Sequence, residues 1–157
     1  MHPAKHLHIP KAVRDQVNQH FKAVWPEEGC GFLVGKNGGV LEFHPAENVR
    51  HSPTAYEMSP HDQIHIMMAI EDRQLEILSI IHSHPSGPLA LSQTDLNEAK
   101  WFDLSYIIVS LRQIECPKWK GWLLTPQNQK EISLDFDESD KNRQRIPLNR
   151  VVGGETL

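Results

Sequence analysis

Two imidazoles two residues apart, His82 and His84, are followed at fixed distances by Ser92 and Asp95 in the stretch His-Ser-His-Pro-Ser-Gly-Pro-Leu-Ala-Leu-Ser-Gln-Thr-Asp. Imidazole nitrogens and a carboxylate are zinc ligands, and two His with one Asp leave a fourth tetrahedral position open for water. That is the donor set of a hydrolytic zinc rather than a structural one, which would be closed, usually by thiolates. The two cysteines, Cys30 and Cys116, lie far from this stretch in the chain. Each half has an ordinary reading: Ser92 to Asp95 is a helix capping box, and the histidines can bond backbone at a strand end. The combination at this spacing is what points to metal.

The elements around these residues would place them together. An apolar, β-branched run from Leu75 to Ile81, broken by Glu76, predicts a strand ending at His82. Side chains two apart on a strand point the same way, so His82 and His84 can face one ion. Pro85 keeps His84 extended, and residues 85–88 turn the chain. Ser92 then caps a helix carrying Leu96, Ala99 and Lys100 at helical spacing, with Asp95 one turn inside and directed back at the strand end.

Metal-assisted hydrolysis also needs a group to carry protons. The segment Pro26-Glu27-Glu28-Gly29-Cys30-Gly31-Phe32-Leu33-Val34-Gly35 offers Glu28, provided its strand lies beside the one ending at His82. The other reading of Glu27 and Glu28 is a solvated loop pair, and spacing alone does not separate the two.

Taken together, Glu28-x-Cys-Gly-x-Leu-x-Gly35, His82-Ser-His84-Pro, Ser92 and Asp95 resemble the signature of the JAMM (MPN-plus) metalloprotease family, in its compact prokaryotic form. The resemblance spans roughly Leu7 to Leu134. It implies an α/β fold, a mixed sheet flanked by helices similar to cytidine deaminases. It further implies one Zn²⁺ per chain on His82, His84 and Asp95, with Glu28 as general acid/base and Ser92 stabilising the oxyanion. The implied activity is hydrolysis after the C-terminal Gly-Gly of ubiquitin or a ubiquitin-like protein. A rival is release of an amino acid from a ubiquitin-fold sulfur-carrier protein; a rival of another class is a non-catalytic binding scaffold. Deaminase chemistry itself is set aside, because its Pro-Cys-x-x-Cys ligand pair is absent.

With 157 residues the chain is long enough for one well-buried domain. A net charge of -4 and no basic stripe argue against nucleic acid. No apolar run reaches the length of a membrane span and no signal-peptide core opens the chain, so cytoplasm is the expected compartment, with Cys30 and Cys116 as reduced thiols. The oligomeric state is left open.

Along the chain, Leu7 to Ile9 predicts a first strand and Pro10 to Val24 a helix buried through Val13, Val17, Phe21 and Val24. Cys30 to Gly35 and Val40 to Phe43 form a hairpin through Lys36-Asn-Gly-Gly39. Residues 46–55 read as a loop, whose His51 and Ser52, with Tyr56 just beyond, are candidates to meet a substrate. Ser59 and Pro60 open a second helix, which Ile64, Met67, Met68 and Glu71 carry toward Asp72, with the two Met read as core filler. Leu104 to Leu111 is a buried strand, and Trp119 to Leu124 with Glu131 to Leu134 a closing hairpin. Trp119 and Trp122 are expected to share one side. The domain is thus read as residues 1–134. Residues 135–157 form a charged tail whose Gly153-Gly154 resembles a cleavage site, with a flexible terminus the favoured account.

Overall fold

The computed structural model describes residues 4–137. Seven strands and three helices alternate in the order β1 (His6–Ile9), α1 (Lys11–Val24), β2 (Cys30–Lys36), β3 (Gly39–Ala46), α2 (Pro60–Glu71), β4 (Glu76–His84), α3 (Gln93–Glu98), β5 (Ser105–Ser110), β6 (Lys118–Leu124), β7 (Gln129–Phe136). The strands form one mixed sheet in the order β1-β3-β2-β4-β5-β6-β7, which curls until β7 meets β1 and closes it. The α/β expectation holds, and closure adds to it.

Local chemistry explains most of the elements. Asn37 and Gly38 both adopt positive φ (54° and 79°), the backbone of a tight hairpin turn, and they join β2 to β3 in antiparallel register. Pro10 stands at the cap of α1, whose Val13, Val17 and Phe21 are buried. With Leu7, Ile9, Leu33, Ile81, Ile107 and Ile132 they fill the core on one face of the sheet. The other face carries Phe32, Val34, Ile80, Ile108 and Leu124 under α2, with Leu96 of α3 packed against them.

Three expectations are corrected. The core face of α2 is Ile66 and Ile70, while Ile64 and Met68 are 60% and 67% exposed. Apolar residues surround this helix, so periodicity could not choose the face; its docking against β3 and β4 does. Trp119 packs on the first core and Trp122 lies in the second. A separation of three is odd, and odd separations on a strand face opposite ways. The last strand runs to Phe136, past the expected end at Leu134: Asp135 pairs with His8 and Phe136 with Ile9. There Phe136 meets Trp119 edge-on at 5.6 Å and lies under the Arg14 guanidinium. The rest of the proposed tail from 138 on, Gly153 and Gly154 included, lies outside the described residues. Among the described residues, no helix is long and apolar enough to cross a membrane.

Candidate metal centre

At the C-terminal end of β4, in the middle of the sheet, His82 and His84 are both buried. Ile80, His82 and His84 share the face beneath α2 and α3, as alternation requires. After the turn at residues 85–91, Ser92 caps α3: its Oγ accepts from the Asp95 N–H (3.0 Å) and its own N–H donates to Asp95 Oδ2 (2.8 Å). The capping box thereby aims the Asp95 carboxylate back at β4. Its Oδ1 stands 3.2 Å from His82 Nε2 and its Oδ2 3.1 Å from His84 Nε2, and the two Nε2 atoms are 3.3 Å apart.

These separations bear directly on metal binding. Ligand atoms at about 2.0–2.1 Å from a tetrahedral zinc are about 3.3 Å from one another. The three side chains therefore already hold donor atoms at the spacing an ion would impose, and they form a group able to hold one. His84 Nδ1 lies 2.9 Å from the Pro88 carbonyl, which accepts its N–H and leaves Nε2 with its lone pair inward. Burial alone would pull His84 down, but its hydrogen bonds to Asp95 and Pro88 outweigh it and raise its pKa. In His82 burial wins and lowers the pKa, favouring the neutral, ligating form. The Asp95 carboxyl, though desolvated, is held well below the carboxylate range by His82 and His84.

Glu28 stands two residues before β2, which pairs with β4 so that Cys30 faces His82. The condition set by the sequence is met. Glu28 is 4% exposed, and its Oε1 has no hydrogen-bond partner among the described residues. Burial drives its pKa from 4.5 up to about 8, with His84 pulling down and Asp95 pushing up. Gly29 lets the segment lie this deep, since a Cβ there would fall 2.4 Å from the Phe21 ring.

A cavity of about 510 Å³ borders His82 and Asp95, with Tyr56, Met58, Trp101 and Tyr106 in its wall and Arg50 at its edge. Arg50 reaches Glu98 of α3 at 3.0 Å, joining the 46–58 loop to the helix beyond. Of the loop residues expected near substrate, Tyr56 stacks on the His82 ring at 4.4 Å between centroids. His51 turns outward to Glu27 and Glu47, and Ser52 offers its carbonyl to the Glu28 N–H.

The family described as prokaryotic homologs of the JAB domain matches residues 10–125. The chain belongs to this family. Among curated JAB relatives, a desampylase of Pyrococcus furiosus is 34% identical over 101 residues, 64% of this chain and 69% of that protein. A CysO-cysteine peptidase of Mycobacterium tuberculosis is 35% identical over 95 residues, 59% of this chain and 65% of that protein. Both alignments thus span about two-thirds of the relative's length. In solution, a Desulfitobacterium hafniense protein adopts the same fold at a TM-score of 0.78 and 26% identity, over 84% of this chain and 93% of that one.

Two residues at this JAB site escaped sequence reasoning. Asn48 and Ser83 bind the peptide that joins Glu28 to Gly29, Asn48 at its carbonyl and Ser83 at its N–H, and a polar side chain's long-range backbone partners leave no local pattern to read.

Proposed function

We propose that this JAB-family chain is a zinc-dependent isopeptidase that hydrolyses the bond after the C-terminal Gly-Gly of a ubiquitin-like protein. The observation that carries the reading is the convergence of His82, His84 and Asp95 at ligand spacing beside a buried, unpartnered Glu28. The names of the relatives, a desampylase and a CysO-cysteine peptidase, point to the same substrate class.

One Zn²⁺ per chain, held by these three residues, would lower the pKa of a ligated water and polarise the scissile carbonyl. Glu28 takes the proton that the attacking water gives up and returns it to the leaving amine. Burial raises the Glu28 carboxyl above the ordinary carboxylate range, which brings its proton affinity toward that needed to accept a proton and return it near neutrality. Ser92 uses its oxygen as acceptor in the cap, which leaves its O–H to donate to the developing oxyanion. The cavity beside His82 gives the substrate tail a wall of Tyr56, Met58 and Trp101 to lie along. Both cysteines are free and Cys116 is exposed, which suits the reducing cytoplasm as compartment.

The test is cleavage of Gly-Gly-ending ubiquitin-fold proteins carrying a lysine isopeptide, a linear peptide or a single amino acid. Zinc-loaded enzyme is compared with chelated enzyme and with Glu28→Gln. We expect chelator-sensitive cutting after the second Gly, lost about 100-fold or more in Glu28→Gln while zinc stays bound. Preference for the single amino acid would establish the sulfur-carrier peptidase in place of the isopeptidase. Zinc binding without any cutting would leave a binding scaffold.

A further inference from the structure

Because the Glu28 carboxylate has an oxygen without a partner, side-chain contacts do not fix its direction; the backbone beneath it must. That backbone lies just outside β2, where the strand ladder no longer supplies partners to both residues. Its four polar groups are nevertheless all satisfied. The Glu28 N–H donates to the Ser52 carbonyl (2.8 Å), and the Gly29 carbonyl accepts from the Ser83 N–H (2.9 Å). The other two are met by side chains. Asn48 Nδ2 donates to the Glu28 carbonyl (3.0 Å), and the Gly29 N–H donates to Ser83 Oγ (2.8 Å).

Neither side chain is there by surface chance. Ser83 is fully buried and Asn48 is 6% exposed. Ser83 stands between the two histidines on the opposite face of β4, so one tripeptide sets both imidazoles and the backbone under Glu28. Asn48 also donates to the Ala55 carbonyl and accepts at Oδ1 from the Arg50 and Glu57 N–H groups. It therefore ties the loop bordering the cavity to the residue that handles the proton. Phe21 lies against the remaining side, where a Cβ on Gly29 would fall 2.4 Å from its ring.

We infer that Asn48 and Ser83 are positioning residues for Glu28, clamping its backbone so that the carboxylate faces His84 and Asp95. The inference rests on the reading of Glu28 as acid/base given above. Misplacement by about 1 Å costs on the order of 100-fold when geometry is what a group contributes.

Ser83→Ala deletes one oxygen and keeps the Ser83 N–H bond to Gly29, and Asn48→Ser serves as an independent variant should the first fail to fold. Each is made in the wild-type chain and in Glu28→Gln, loaded with zinc, and given the isopeptide-linked conjugate described above. In the wild-type chain kcat should fall about tenfold or more, with KM and zinc affinity within about twofold. In Glu28→Gln no further fall is expected, because the group being positioned is gone. Amide exchange at Gly29, read by NMR on metal-free protein, should speed up in Ser83→Ala while neighbouring β4 amides keep their protection. Equal falls in both backgrounds, an unchanged kcat, or an unchanged Gly29 amide would overturn the clamp. Glu28→Gln cutting as well as wild type would instead overturn the proposed function. Gly29 exchange needs no substrate, so the bond is decided even if no conjugate is cut.

Discussion

Glu28, the proposed acid/base, shows how a carboxyl is kept where the fold alone would not put it. A carboxyl at 4% exposure with an unpartnered oxygen is unfavourable once ionised, and burial pushes its pKa up to about 8 accordingly. Between its ordinary value of 4.5 and about 8, the native state binds a proton that the unfolded chain has released. Stability must therefore fall as pH rises through this window. The full difference amounts to at most about 5 kcal/mol above pH 8. His84, whose pKa is also raised, has the same sign of dependence, so a single pH profile would mix the two. Comparison with Glu28→Gln isolates the Glu28 contribution together with its coupling to His84, since the other contacts that shift His84 are common to both proteins. Denaturant unfolding of the metal-free chains should show the variant more stable, by a margin that widens from pH 5 to pH 8. A margin independent of pH would mean that the Glu28 carboxylate reaches water. This residue was legible in the sequence only conditionally. Its acidic type was plain, but its place beside His82 depends on β2 pairing with β4, which no local pattern states.

Elements carry the rest of the site's precision, and they differ in how readily they could be read. The β4 histidines and the α3 cap were legible because both rest on local rules, alternation along a strand and the three-residue reach of a capping box. The face of α2 and the sides taken by Trp119 and Trp122 were not. The first depends on tertiary docking of a helix apolar all round; the second was a misjudged period. Helix α3 has six residues and would not persist alone, so its cap and the packing of Leu96 hold it. Ser92 consequently serves structure and, in the proposed mechanism, chemistry. Ser92→Ala should cost about 1 kcal/mol of stability through the lost cap. It should also cost about 100-fold in kcat with KM little changed, through the lost oxyanion donor. The Ser92 N–H still holds Asp95 in this variant, so zinc should remain bound. A variant that is less stable yet turns over normally would confine Ser92 to its cap.

At the scale of the whole molecule, the sheet is closed by strands from opposite ends of the described chain. β1 and β7 run parallel from His6 opposite Ser133 to Ile9 opposite Phe136. Such pairing needs no turn between its partners, which is why no local pattern in the sequence announces the seam. The candidate metal centre lies across the sheet's middle, between β2 and β5, and joins the end of β4 to a helix that starts nine residues further along. An ion on His82, His84 and Asp95 would hold this short helix to the sheet in the native state only, because the unfolded chain does not keep the three residues together. By mass action, free zinc at 100 times its dissociation constant should add about 2.7 kcal/mol to stability. For a domain of this size that corresponds to a rise in Tm of roughly 5–11 °C. Asp95→Ala should abolish most of the rise, since it removes a ligand. Glu28→Gln should retain it in full, because the proposed acid/base binds no metal. Thermal melts of the three proteins with and without zinc separate ligand from base without any substrate. A rise that survives Asp95→Ala would show that the stabilising ion sits elsewhere, and a rise lost in Glu28→Gln would make Glu28 a ligand.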